Sequence, residues 1–371
     1  MPGIQSTIER LKALRMVLPV LNAAVDRLQT LEQFGSNPGA LTARFYVPAD
    51  LAPGAPLIVV MHGCTQTAAG YDHAAGWSRA ADQHGFALLF PEQRRANNPN
   101  LCFNWFSPTD MVRGGGEALS IRHMIAAMQA AHATSAAKVF VTGLSAGGAM
   151  TAVMLATYPE LFAGGAVIAG LPYGTAKSVP AALERMRGQG LPDELELSQF
   201  VRQAVPRAKS WPTLSVWHGS ADSTVVPSNG EALVDQWRGL HELSATPSVT
   251  ERVDGQVRRV WNDADGRPVV KHIAVAGLGH GTPLSSRDPH SDEHPGPHMI
   301  EAGISSTRHI LDDWGLMTQP VRQSAAAKSV VSAVQHAKPR LLKTSRPRPD
   351  RAADPITRTI ETALRKAGLM R

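Results

Sequence analysis

The run KVFVTGLSAGGAMTAVMLATYPE constrains this chain more than any other. An apolar, β-branched stretch passes through Gly143-Leu-Ser-Ala-Gly147 directly into an Ala- and Met-rich stretch of high helix propensity. That order of strand, tight turn and helix is the nucleophile-elbow pattern in the context it requires. A sharp turn exposes Ser145 at a strained corner, and glycines two positions to either side let neighbouring backbone come close. The helix beginning there aims its free N–H groups at developing negative charge.

A serine hydroxyl needs a base, and the base needs a carboxylate to orient it; in this arrangement both follow later in the chain, carboxylate first. The apolar run in PTLSVWHGSADSTVVP ends in a polar loop that carries Asp222. The run VVKHIAVAGLGHGTP is another strand, followed by His280 between two glycines that free its backbone. Asp263 and Asp265 also precede His280, but WNDADGRP has the composition of a hairpin tip. Acyl transfer also requires donors for an oxyanion. The N–H of Ala146, just after the nucleophile, is one; the other is expected from the loop after LIVVM, where His62-Gly63 is followed by Cys64, with Thr65 as a neighbour able to substitute.

The rest of the chain is organised around these segments. Strands are expected at 43–47, 57–62, 87–90, 138–142, 165–169, 213–218 and 269–275, and helices at 76–83, 116–131, 146–158, 229–238 and 301–314. Nearly continuous apolar strands alternating with amphipathic helices predict an α/β domain at 41–317, with a mostly parallel sheet covered on both faces. Before it, Ile8, Leu11, Leu14, Leu18, Leu21, Val25 and Leu28 recur at helical spacing behind a Ser6-x-x-Glu9 capping box. They predict an amphipathic helix to about residue 34 within an N-terminal unit, 1–40.

Taken together, MHGCTQTAAGYDHAAGWSRAADQHGFALLFPEQ, NPNLCFNWF, RGGGEALSI, GLSAGGAM, HGSADSTVVP and GLGHGTP resemble the polyhydroxybutyrate-depolymerase family of serine esterases. That family is related to feruloyl and acetylxylan esterases within the α/β-hydrolase fold. The likeness spans roughly residues 41 to 316. It implies hydrolysis of ester bonds without a cofactor, with Ser145, Asp222 and His280 matching the triad motifs, and it implies secretion. It also suggests a disulfide between Cys64 and Cys102, which would tether the oxyanion loop to Asn104-Trp105-Phe106; two free thiols are the alternative. Trp105 and Phe106 are candidate cleft-lining residues for an acyl group or polyester, core packing being the competing role.

Charge separates the body from its tail. The chain carries a net +6, yet residues 318–371 hold 12 basic and 3 acidic side chains, +9, so the first 317 residues carry −3. The body therefore offers no reason to expect nucleic acid, whereas the Pro-interrupted tail is expected to be a flexible appendage suited to an anionic surface. A rival from another class is a binding module that uses this tail on an inactive hydrolase body; the intact Ser, Asp and His set argues against it. The basic-then-apolar start lacks a convincing cleavage site, so secretion and a cytoplasmic location both remain open, as does the oligomeric state. His290, His294 and His298 are spaced by four, but Pro289, Pro295 and Pro297 break the helix that would align them as metal ligands, so no metal is expected.

Overall fold

The computed structural model describes residues 26–317. Its centre is β3 (Leu57–Met61), all five residues of which are buried. Leu57, Val59 and Met61 pack into one apolar cluster and Ile58 and Val60 into a second, so the strand alternates between two covered faces. The first face is covered by α3 (Gly116–His132), α4 (Ala146–Thr157), α6 (Glu194–Ala204) and α7 (Ser228–His241). The second is covered by α1 (Ala68–Ala75), α2 (Trp77–His84) and α8 (Ser306–Asp313), with Trp77 in the core.

The remaining strands of the main sheet are β1 (Gln29–Thr30), β2 (Thr42–Tyr46), β4 (Ala87–Glu92), β5 (Val139–Leu144), β6 (Gly164–Ile168), β7 (Thr213–Gly219), β8 (Val249–Val253), β9 (Gln256–Asn262) and β10 (Pro268–Val275). Their order is β1-β2-β4-β3-β5-β6-β7-β10-β9-β8. From β4 to β10 every pairing is parallel, and the two edges are antiparallel. A short parallel pair, β11 (Thr282–Leu284) with β12 (Met299–Glu301), lies apart from the main sheet, and α5 (Val179–Met186) precedes α6. This is the mostly parallel, doubly covered sheet expected of an α/β-hydrolase fold.

The structure corrects three details. The helix expected to reach residue 34 is absent over 26–34: Gln29 and Thr30 pair antiparallel with Phe45 and Arg44, Leu28 is buried, and Arg27 bonds to Asp82, Ser78 and Tyr46. The sheet edge offers this segment backbone partners and a place for Leu28 that an isolated amphipathic helix lacks. The earlier part of that helix and the basic tail from 318 lie outside the described residues. The helix expected from 301 begins at Ser306, where the Ser305 side chain caps it, and Glu301 belongs to β12. Finally, β8 and β9 were not anticipated; they form a charged hairpin, β8 largely exposed and β9 part-buried with Val260 and Trp261 inside, turning at Asp254-Gly255, whose positive φ values of 45° and 77° suit the Asp-Gly pair. The next turn, Asp263 to Arg267 between β9 and β10, is the hairpin tip read from WNDADGRP.

Candidate active site

The turn between β5 and α4 is as tight as its sequence demands. Ser145 adopts φ 57° and ψ −118°, a conformation costly for a residue with a side chain, and its N–H is anchored to the Ile168 carbonyl of β6 at 2.9 Å. A Cβ on Gly147 would stand 2.4 Å from the Met61 carbonyl oxygen and 2.5 Å from that of His62. Glycine is therefore what permits the start of α4 to lie against the end of β3.

Ser145 Oγ does not cap its own helix. It lies 2.8 Å from His280 Nε2, and His280 Nδ1 lies 2.7 Å from Asp222 Oδ2. Since an ionised carboxylate only accepts, Nδ1 carries the proton and Nε2 presents its lone pair to the hydroxyl. Asp222 Oδ1 accepts the N–H groups of Thr224 and Val225, both at 2.9 Å. Burial works against the charge on Asp222, but the hydrogen bond and electrostatic attraction of the His280 ring together with those N–H groups outweigh it and hold the carboxyl below its ordinary pKa. The loops carrying Asp222 and His280 follow the adjacent parallel strands β7 and β10 and are laced together by Ala221 N–H to Leu278 O and Ser220 N–H to Val275 O. Beneath them His218 Nε2–H donates to the Val225 carbonyl at 2.8 Å and sits 3.6 Å from Asp222 Oδ2, closing the turn that presents the carboxylate. Burial pushes the His218 pKa down, which keeps the ring neutral.

The loop after β3 supplies a fixed N–H. The Gly63 carbonyl accepts from His62 Nδ1 at 2.8 Å and from the Gln66 N–H at 3.3 Å, and the Gly63 N–H donates to Gln66 Oε1 at 2.8 Å. In a planar trans peptide the carbonyl and the following N–H point in opposite directions, so pinning the Gly63 oxygen also aims the Cys64 N–H. Among the described residues nothing accepts that N–H, whereas the Thr65 N–H is spent on the Asn100 carbonyl at 2.7 Å. Thr65 is thereby removed as the alternative donor. His62 is fully buried, with its pKa pushed down by burial, and its Nε2 accepts the Gln93 N–H at 3.2 Å.

Cys64 and Cys102 form a disulfide, with Cα atoms 4.3 Å apart, so the free-thiol alternative is set aside. It joins the Cys64 turn to a segment held from beneath by Glu117: Oε1 accepts from Gln93 Nε2 and Asn104 Nδ2, and Oε2 accepts the Asn104 N–H. Burial drives the Glu117 pKa up to about 8, against the pull of these donors. Of the two aromatic candidates, Trp105 is only 6% exposed and belongs to the core, while Phe106, edge-on to it at 5.5 Å, is part-exposed. The three spaced histidines share no helix: His294 stacks on His73 at 4.2 Å, and His298 stands edge-on to His280 at 5.7 Å. Gln66, Gln93, Glu117 and His218 escaped the sequence reading, because a lone polar residue facing a backbone group leaves no periodic trace.

Residues 41–259 match the family model for the esterase PHB depolymerases. The chain belongs to that family. This esterase is 39% identical over 311 residues to the poly(3-hydroxyalkanoate) depolymerase C of Paucimonas lemoignei, covering 81% of this chain and 73% of the relative. It is 32% identical over 279 residues to the feruloyl esterase B of Talaromyces stipitatus, covering 73% and 76% of the two chains. Among solved structures it resembles an acetyl xylan esterase from Aspergillus awamori, with a TM-score of 0.67 at 26% identity over 78% of this chain and 99% of that one.

Proposed function

We propose that this esterase acts through a Ser145, His280 and Asp222 triad and an acyl-enzyme, on hydroxyalkanoate oligomers of the poly(3-hydroxybutyrate) kind. The observation that carries the proposal is the continuous hydrogen-bond line from Asp222 Oδ2 through His280 to Ser145 Oγ. His280 Nε2 takes the hydroxyl proton as Oγ bonds to the ester carbonyl carbon, and the N–H groups of Ala146 and Cys64 hold the oxyanion. The imidazolium, stabilised by ionised Asp222, then protonates the departing alcohol oxygen. Water enters, gives a proton to His280 and cleaves the acyl-enzyme, so that Ser145 regains its hydroxyl and the acid product leaves. No step calls for a cofactor. Phe106, part-exposed and backed by the buried Trp105, offers an apolar wall for the acyl chain.

The polyester assignment is supported by the identity with the hydroxyalkanoate depolymerase, the highest of the three relatives described. A second reading, a feruloyl or acetylxylan-type carbohydrate esterase, is favoured by the overlap with nearly the whole acetyl xylan esterase structure. Both readings use one catalytic apparatus. Ser145→Ala is expected to abolish turnover of p-nitrophenyl butyrate and labelling by a fluorophosphonate; retention of wild-type turnover would overturn the triad. Rates on hydroxybutyrate oligomers, methyl ferulate and acetylated xylan, compared side by side, decide the acyl group.

A further inference from the structure

The two loops that would hold an oxyanion and its general base leave the sheet far apart. The Cys64 loop follows β3 and the His280 loop follows β10, with β5, β6 and β7 between them. Four inter-strand spacings amount to roughly 19 Å. Both loops must nevertheless converge on Ser145 at the end of β5, in a geometry where displacement by an ångström costs about 100-fold in rate.

One line of hydrogen bonds joins them. Gln66 Oε1 accepts the Gly63 N–H at 2.8 Å, and Gln66 Nε2 donates to the Pro297 carbonyl at 3.2 Å, across 231 residues of sequence. The next residue, His298, grips the His280 loop twice. Its Nδ1–H donates to the His280 carbonyl at 3.1 Å, and its own carbonyl accepts the Thr282 N–H at 2.8 Å. His298 holds φ 60°, a left-handed conformation uncommon for a residue with a side chain, and its ring stands edge-on to that of His280. Gly281 is confined between the two, since a Cβ there would meet the His298 carbonyl oxygen at 2.6 Å. Strain, close approach and a side-chain donor thus coincide at a single rim residue next to the base.

We propose that Gln66 and His298 are paired positioning residues, a strap fixing the distance between the Cys64 N–H and His280 over Ser145. This rests on the serine-esterase reading above. Neither residue hydrogen-bonds to the reacting atoms. Each holds the main chain of a loop that carries one of them, and a strap of two arms in series fails when either arm is cut. The chemistry of each arm is specific: position 66 must accept on one side and donate on the other, which Gln does and Glu does not. Position 298 must donate from a side chain while tolerating positive φ, which His and Asn both do.

The test uses the full chain and four variants, Q66E, H298G, H298N and the double variant Q66E/H298G, assayed on p-nitrophenyl butyrate beside Ser145→Ala. Both side chains lie at the rim, so their loss opens no core cavity, and H298G keeps the left-handed backbone while removing the donor together with the ring that stands edge-on to His280; H298N restores the donor without that ring. Q66E and H298G are each expected to lower kcat by about tenfold with KM within about twofold, and the double variant by little more than either alone, because coupled residues are not additive. H298N is expected to recover most of the kcat that H298G loses. The low-field His280 Nδ1 proton resonance should broaden in H298G and sharpen again in H298N. A roughly hundredfold loss in the double variant, wild-type kcat in both single variants, or H298N as impaired as H298G would each overturn the strap. If Ser145→Ala is inactive while Q66E and H298G turn over normally, the strap falls and the esterase reading stands; if Ser145→Ala retains turnover, that reading itself has failed.

Discussion

Asp222 divides its two oxygens between different tasks: Oδ2 lies 2.7 Å from His280 Nδ1, while Oδ1 is committed to the N–H groups of Thr224 and Val225. This division predicts what an isosteric amide would do. In Asp222→Asn the amide oxygen must face the two backbone donors, which leaves the NH2 pointing at His280 Nδ1. The imidazole is then driven into the tautomer that carries its proton on Nε2, facing Ser145 as a donor rather than as a base. By analogy with the same exchange in a serine protease triad, kcat is expected to fall about 10,000-fold. KM should change little and the fold should be kept. Steady-state kinetics with a circular dichroism spectrum check this; a loss below about tenfold would count against Asp222.

Gly147→Ala is expected to disable the enzyme without touching a polar group. The new methyl would press on the carbonyls of Met61 and His62, which are backbone at and just past the end of β3 rather than flexible side-chain ends, so the main chain itself must shift. Moving them moves the Gly63–Cys64 peptide and hence its N–H. Expression of soluble protein with wild-type kcat would show that the contact is less rigid than the geometry implies.

The disulfide closes a loop spanning a sequence separation of 38. Chain entropy assigns such a closure about 4 kcal/mol. Cys102→Ser is therefore expected to lower the melting temperature by several degrees. The loss of kcat should be measurable at temperatures where the variant is fully folded, because the Cys64 turn loses its tether to the Asn100–Asn104 segment. Thermal melts and kinetics of the variant, and of wild type before and after treatment with dithiothreitol, give the comparison; unchanged melting in both would exclude a stabilising bridge.

The elbow, the parallel strands and the residues facing Ser145 were readable from the chain because each has a local cause. Strands covered on both faces appear as unbroken apolar runs such as LIVVM and VFVTGL, and the elbow needs its glycines at fixed offsets. Where burial is one-sided or slight, the signal fades. In the β8–β9 hairpin, β8 is charged and largely exposed and β9 is only part-buried, so the Asp-Gly turn is its clearest mark. The apolar spacing that runs up to Leu28 looked helical, but Leu28 is buried and the next two residues, Gln29 and Thr30, pair with a sheet edge instead. Contacts such as Gln66 with Pro297 join residues 231 positions apart through single polar atoms, which no periodicity encodes.

His272, buried on β10, makes the fold sensitive to acid. Burial, with Arg259 and His218 acting in the same direction against Glu231, lowers its pKa to about 4 from the ordinary value of 6.5. The Arg259 guanidinium donates to His272 Nδ1, an arrangement open only to the neutral ring. The folded-state pKa thus lies below the unfolded one, and between about pH 6.5 and 4 the unfolded chain binds the extra proton. Stability from this group is complete above 6.5 and is lost as pH falls toward 4, by on the order of 3 kcal/mol. His272→Gln keeps an acceptor for Arg259 and removes the titration. Urea unfolding at pH 7.0 and 4.5 should show wild type losing more stability than the variant, by about 2 to 3 kcal/mol. Equal losses in the two proteins would mean that His272 does not report this acid transition.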